Sequence, residues 1–207
     1  MPENTTTINS NCDSVEESRS DETTKSQMVN SSENSNNPTR SHVIIAGDSM
    51  VKHLDGYKMS KTDTRVKVST FPGCTTLDMA DYIKPILRKN PQKLILHVGT
   101  NSVKGRETST RCAQEIVSLA ESIKSSVRNT ELAISGLITR ADEAMLTRKV
   151  SEVNSELKRL CMQKQLKLID HANISCNELN RSKIHLNKVG TKVMSRNFTR
   201  YIYNNTD

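Results

Sequence analysis

From residue 41 onward, short apolar runs alternate with longer segments whose apolar residues recur at helical spacing. "HVIIAG" (42–47) is rich in β-branched residues and reads as a strand. "TRVKVSTF" (64–71) alternates as a strand does and stops at Pro72-Gly73. "KLILHVG" (93–99) reads as a strand buried on both faces, and "ELAISGLI" (131–138) and "LKLID" (166–170) supply a fourth and a fifth. Between them, "TTLDMADYIKPILRKN" (75–90) carries Leu77, Met79, Ala80, Ile83 and Ile86 near helical spacing, with Pro85 predicting a break. Residues 107–129 predict a helix striped by Ile116, Leu119, Ile123 and Val127. A second, over 143–165, uses Met145, Val150, Val153, Leu157 and Leu160, and a terminal helix follows over 188–203.

Strand–helix alternation of this kind builds a parallel sheet with helices on both faces. Right-handed crossovers then leave few alternatives to a flavodoxin-like, three-layer α/β/α domain with a five-stranded parallel sheet. In such a sheet, chemistry gathers in the loops at the carboxyl ends of the strands.

Residues 1–40 depart from this pattern. They are mostly Ser, Thr, Asn and acids, without an aromatic residue, and bury too little apolar surface to offset the cost of ordering. They read as a disordered tail before a domain over 41–207. The tail holds three basic and seven acidic residues, a net of −4; the whole chain is +7, so the domain carries +11. A basic body attracts polyanions such as RNA, although six aromatic residues and no Trp supply few stacking platforms for single strands. Neither a signal-peptide pattern nor an apolar run of about 20 residues appears, so a cytoplasmic location is expected. Five widely spaced cysteines without a CxxC pair predict reduced thiols and no metal site.

Four polar loops fall at the carboxyl edge of the predicted sheet: Gly47-Asp48-Ser49, Pro72-Gly73-Cys74, Gly99-Thr100-Asn101 and His185-Leu186-Asn187. Taken singly, Ser49 would be a helix cap, Gly73 and Asn101 turn residues, and His185 a surface or capping residue. Asp48 is expected to brace its loop by hydrogen bonding, and Cys74 to be a small packing residue. His42, His53, His97 and His171 show no ligand spacing and read as structural or exposed.

Taken together, "GDSM", "PGCTT", "VGTN" and "HLN" occur in the order of the four sequence blocks of the SGNH hydrolases, the GDSL-type esterases and lipases. Residues 41–207 resemble that family. The resemblance implies Ser49 as nucleophile and His185 as its base, with Ser49, Gly73 and Asn101 forming the oxyanion hole, and it implies no cofactor. Glycine at 73 is expected because a side chain there would block approach of substrate to the backbone. One block departs from the family: the triad aspartate three residues before the histidine is replaced by Ser182. That leaves a Ser–His dyad, a carboxylate borrowed from elsewhere (Asp170 being best placed by topology), or an inactive site. A Ser182 hydroxyl or the loop backbone would then hold the imidazole tautomer.

The resulting expectation is a serine esterase acting on an acyl or acetyl ester of a small molecule, lipid or carbohydrate. The alternative is a hydrolase-like domain of weak or no activity that binds RNA or another polyanion. A Ser/Thr/Asn-rich leader before such a domain is also similar to the esterase domains of some LINE retrotransposon first-frame proteins.

Overall fold

The computed structural model describes residues 40–203. Five strands, β1 (Ser41–Gly47), β2 (Thr64–Thr70), β3 (Lys93–His97), β4 (Glu131–Ser135) and β5 (Lys167–Ile169), form one sheet in the order β2-β1-β3-β4-β5. Every pairing is parallel, and Gly47, the last residue of β1, stands level with Thr70 of β2 and His97 of β3. The carboxyl ends of the three strands that carry the first three polar loops therefore lie side by side.

The helices are α1 (Gly56–Met59), α2 (Thr76–Tyr82), α3 (Lys84–Leu87), α4 (Ser109–Ser126), α5 (Ala144–Gln163) and α6 (Lys188–Tyr203). Side chains alternate across each strand, so the sheet has two cores. Ile44, Ala46, Leu94 and Leu96 pack under α2–α5. Val43, Ile45 and Ile95 pack under α1 and α6, against Met59, Met194 and Phe198. All five residues of β3 are buried, which is why that strand reads as apolar on both faces.

Several boundaries differ from expectation for local reasons. Pro85 breaks the 75–90 segment as expected: α2 ends at Tyr82, and the proline sits in the first turn of α3, where no backbone N–H is needed. The expected strand over 131–138 ends at Ser135: Gly136 N–H makes the last ladder bond, to the carbonyl of Ile169, where β5 also ends. The Leu137 N–H and carbonyl are both taken by the Asn154 amide, at 2.8 Å each. Leu77 and Met145 do not join the core stripes; both are 74% exposed, and Leu146 takes the buried position.

The expected tail over 1–40 lies outside the described residues except for Arg40, an exposed residue whose guanidinium donates to the Lys61 carbonyl at 2.7 Å. Cys12 lies outside them as well. Cys74, Cys112, Cys161 and Cys176 are free thiols. Among the described residues no helix is long and apolar enough to cross a membrane.

Candidate active site

The turn after β1 carries Asp48 and Ser49, and it settles what caps the helix that follows. The cap is Asp48, not Ser49: its Oδ1 accepts from Met50 N–H at 2.9 Å, opening a single 3-10 turn over Ser49–Val51. Gly47 lets this turn sit close to β3, since a Cβ on it would lie 2.7 Å from the His97 carbonyl. Asp48 N–H bonds that same carbonyl at 3.1 Å. With capping done by its neighbour, the Ser49 hydroxyl is spared for another partner.

That partner is His185. Ser49 Oγ lies 3.1 Å from His185 Nε2, and both residues are half-buried. His185 stands in a loop closed by the Leu179–Leu186 bridge and by Asn180 N–H on the His185 carbonyl at 2.7 Å. Asn187 anchors its far side. The Asn187 amide donates to the carbonyls of Asn177 and Leu179, and its Oδ1 caps α6 at Val189 and Gly190 N–H. The imidazole is thus presented by a braced loop.

Gly73 adopts φ +80°, a conformation that strains any other residue. A Cβ there would meet nothing within 4 Å, so the backbone conformation, rather than crowding, is what calls for glycine. The turn leads into α2, where Thr75 and Asp78 form a reciprocal capping box. Asn101 is tied to the same turn: its Nδ2 donates to the Cys74 carbonyl at 2.9 Å, leaving its second amide hydrogen without a partner among the described residues. The Cys74 side chain is buried in the core beneath α2, as expected. Burial first, then the Asp48 and Asp78 charges, push its thiol up to about 12. A thiol so held is no rival nucleophile.

Neither expected support for the histidine reaches it. Ser182 Oγ donates to Asn180 Oδ1 at 2.7 Å, and its N–H bonds the same oxygen at 3.1 Å. Asp170 is exposed and accepts from Ala172 N–H at 2.8 Å. Among the described residues no side chain bonds His185 Nδ1.

The sequence reading missed Arg140, whose side chain is almost completely buried. Its guanidinium pairs with Asp142 and donates to the Thr100 carbonyl at 3.3 Å, buttressing the loop that carries Asn101. The neighbouring Ala141 N–H bonds the Lys183 carbonyl, joining this loop to the one that carries His185. His42 and His53 are exposed, whereas His97 and His171 belong to a buried polar chain with Ser135 and Asn197. Among the described residues no three His, Cys, Asp or Glu side chains are grouped to hold a metal ion.

Solved structures share this architecture. A lipase/acylhydrolase from Enterococcus faecalis matches with TM-score 0.64 and 15% identity over 78% of this chain and 95% of that one. A GDSL-like lipase from Bacteroides thetaiotaomicron matches with TM-score 0.64 and 14% identity, over 78% and 87%. A member of the lipolytic G-D-S-L family from Veillonella parvula gives 0.63 and 19%, over 79% and 97%. The chain has the SGNH hydrolase fold. No family model matches the sequence, and no curated protein does. At these identities the likeness to SGNH hydrolases lies in the fold, and chemistry must be argued from the site.

A cavity of about 460 Å³ opens beside the ends of β4 and β5, lined in part by Asn154, Lys158, Asp170 and His171. It includes neither Ser49 nor His185. The serine and histidine instead meet at the half-buried surface above β1 and β3.

Proposed function

We propose that the protein is a serine hydrolase of the SGNH type, cleaving an acyl or acetyl ester through an acyl-enzyme on Ser49. The 3.1 Å contact between Ser49 Oγ and His185 Nε2 carries this reading. A serine hydroxyl attacks a carbonyl only when a base removes its proton, and Nε2 stands within transfer distance. Ser49 Oγ adds to the acyl carbon as its proton passes to Nε2. The resulting oxyanion is met by the Ser49 and Gly73 backbone N–H groups and by the Asn101 amide hydrogen not bonded to Cys74. Collapse expels the alcohol, which takes the proton from His185. Water then repeats the sequence on the acyl-enzyme and frees Ser49.

The pair works as a dyad, because Ser182 is turned to Asn180 and Asp170 to Ala172. Substrates are small-molecule, lipid or carbohydrate esters held in a shallow site, no cofactor takes part, and the enzyme acts in the cytoplasm. Short-chain nitrophenyl esters test this reading: turnover by the wild type must be lost in Ser49→Ala, and equal rates for the two would refute it.

One feature favours a second activity. A groove of about 410 Å³ at the open edge of the sheet is lined by His42, Val43, Ile44, Arg65, Lys67 and Lys89. Arg65, Lys67 and Lys89 have no acidic partner among the described residues, which suits a phosphate backbone such as that of RNA. Lysine on an edge strand also guards against strand pairing, so the groove by itself has a simpler use. Filter binding of RNA across a salt series separates the two. A steep salt slope that flattens in Lys67→Glu supports binding, and no retention at low salt removes it.

A further inference from the structure

A serine hydroxyl has one proton, and Ser135 Oγ stands between two imidazoles. It lies 2.9 Å from His97 Nδ1 and 2.8 Å from His171 Nε2. Burial lowers His97 to about 4 and His171 to about 3, so both rings are neutral near pH 7 and each carries a single hydrogen. Ser135 Oγ has no other hydrogen-bond partner among the described residues, so its proton goes to one ring and it accepts from the other.

The far end of the run sets the direction. Asn197 Nδ2 lies 2.9 Å from His171 Nδ1, and the Asn197 and Asn173 amides bond each other reciprocally. An amide N–H facing Nδ1 places the His171 hydrogen on Nε2, aimed at Ser135. Ser135 then donates to His97 Nδ1, and the His97 hydrogen falls on Nε2. That nitrogen faces Asp48 Oδ1 at 4.0 Å, a contact that is electrostatic rather than a hydrogen bond. Turning both amides over would keep their mutual bonds but reverse every step, aiming a lone pair of His97 at the carboxylate. The carboxylate favours the first direction.

Asp48 is fully buried and immediately precedes Ser49. Burial raises its carboxyl above the ordinary carboxylate range, and Met50 N–H, Thr100 and the imidazole of His185 act against that rise to keep it charged. The Cys74 thiol also lies within reach of its charge.

Resting on the esterase reading, we propose that Asp48 supplies through space the negative charge a triad carboxylate would bring to the Ser49–His185 pair. Asn197, His171, Ser135 and His97 act as positioning residues that aim an N–H dipole at that carboxylate. The imidazolium formed as Ser49 loses its proton is the species this charge stabilises.

Two measurements test the inference. Long-range proton–nitrogen correlation spectra of the uniformly ¹⁵N-labelled protein must show His97 and His171 both protonated on Nε2; a hydrogen on Nδ1 of His97 overturns it. Asp48→Asn keeps the cap on Met50 and removes only the charge. Its kcat toward the ester cleaved by Ser49 should fall about 10-fold, the equivalent of one pKa unit, with KM unchanged. Wild-type kcat in a folded Asp48→Asn also overturns it. Ser135→Ala, which cuts the run without touching the turn, should lower kcat in the same direction. Turnover that survives Ser49→Ala would instead remove the esterase reading, while the nitrogen spectra still report the direction of the His97 hydrogen.

Discussion

Ser49 Oγ meets His185 Nε2 at 3.1 Å across a sequence separation of 136 residues. Two local events allow it: Asp48 takes over the helix cap, and Asn187 pins the foot of the loop that presents the imidazole. The contact places an imidazole on the serine but leaves the other side of the ring without a carboxylate.

A carboxylate restored at position 182 therefore offers a direct gain. Ser182→Asp should raise kcat by about 10-fold or more, since an orienting aspartate in a serine protease contributes about 10,000-fold. Steady-state kinetics against wild type check this, and an unchanged kcat would show that residue 182 does not serve the imidazole.

Asn101→Ala removes a donor and the tie to the Cys74 carbonyl. Turnover should fall about 100- to 1,000-fold with little change in KM, as for loss of one oxyanion donor. Gly73→Ala should cost about 1 kcal/mol of stability, because φ +80° is unfavourable for a residue with a Cβ. Denaturant titration reads the second effect separately from the first.

Arg140→Met should be among the most damaging substitutions away from the serine. It leaves Asp142, whose carboxyl the guanidinium beside it holds below the usual range, and the Thr100 carbonyl without their partner. Asp142 is exposed and stays solvated, so the loss is that of charge-assisted hydrogen bonds, about 1.5–3 kcal/mol, visible as a lower urea midpoint. Activity should fall too, through displacement of the Asn101 loop.

The buried histidines predict a dependence of stability on pH. Their folded values, about 4 for His97 and about 3 for His171, lie below the usual 6.5. The unfolded chain then binds more protons between those limits, so stability is fully present above about 6.5 and is lost as pH falls toward 4. The slope is about 1 kcal/mol per pH unit for each histidine, reduced by Asp48, which burial shifts upward. Urea midpoints at pH 7.5 and 4.5 measure it, and His171→Gln should flatten the curve.

The fold was legible because alternation of strand and helix patterns leaves few parallel topologies, and the four site loops follow from the carboxyl ends of the strands. The cap was not, since Asp and Ser are equally good caps and only coordinates show which oxygen meets Met50 N–H. Leu77 and Met145 misled because a helix stripe read from spacing is uncertain by one residue at its edge. The chain from Asp48 to Asn197 spans a loop, two strands, the turn after β5 and a helix, so no window of sequence contains it. A signal was present nonetheless: "KLILH" and "ELAIS" are adjacent buried strands that each end on a polar residue.

The central claim is that Ser49 is an activated nucleophile, and a fluorophosphonate probe tests it most directly. The account predicts one covalent adduct per chain, mapped to Ser49 by mass spectrometry, absent in Ser49→Ala and at least 1,000-fold slower in His185→Ala, by roughly the scale at which triad members fail. A wild-type protein that stays unlabelled, or labels equally fast without His185, would contradict it.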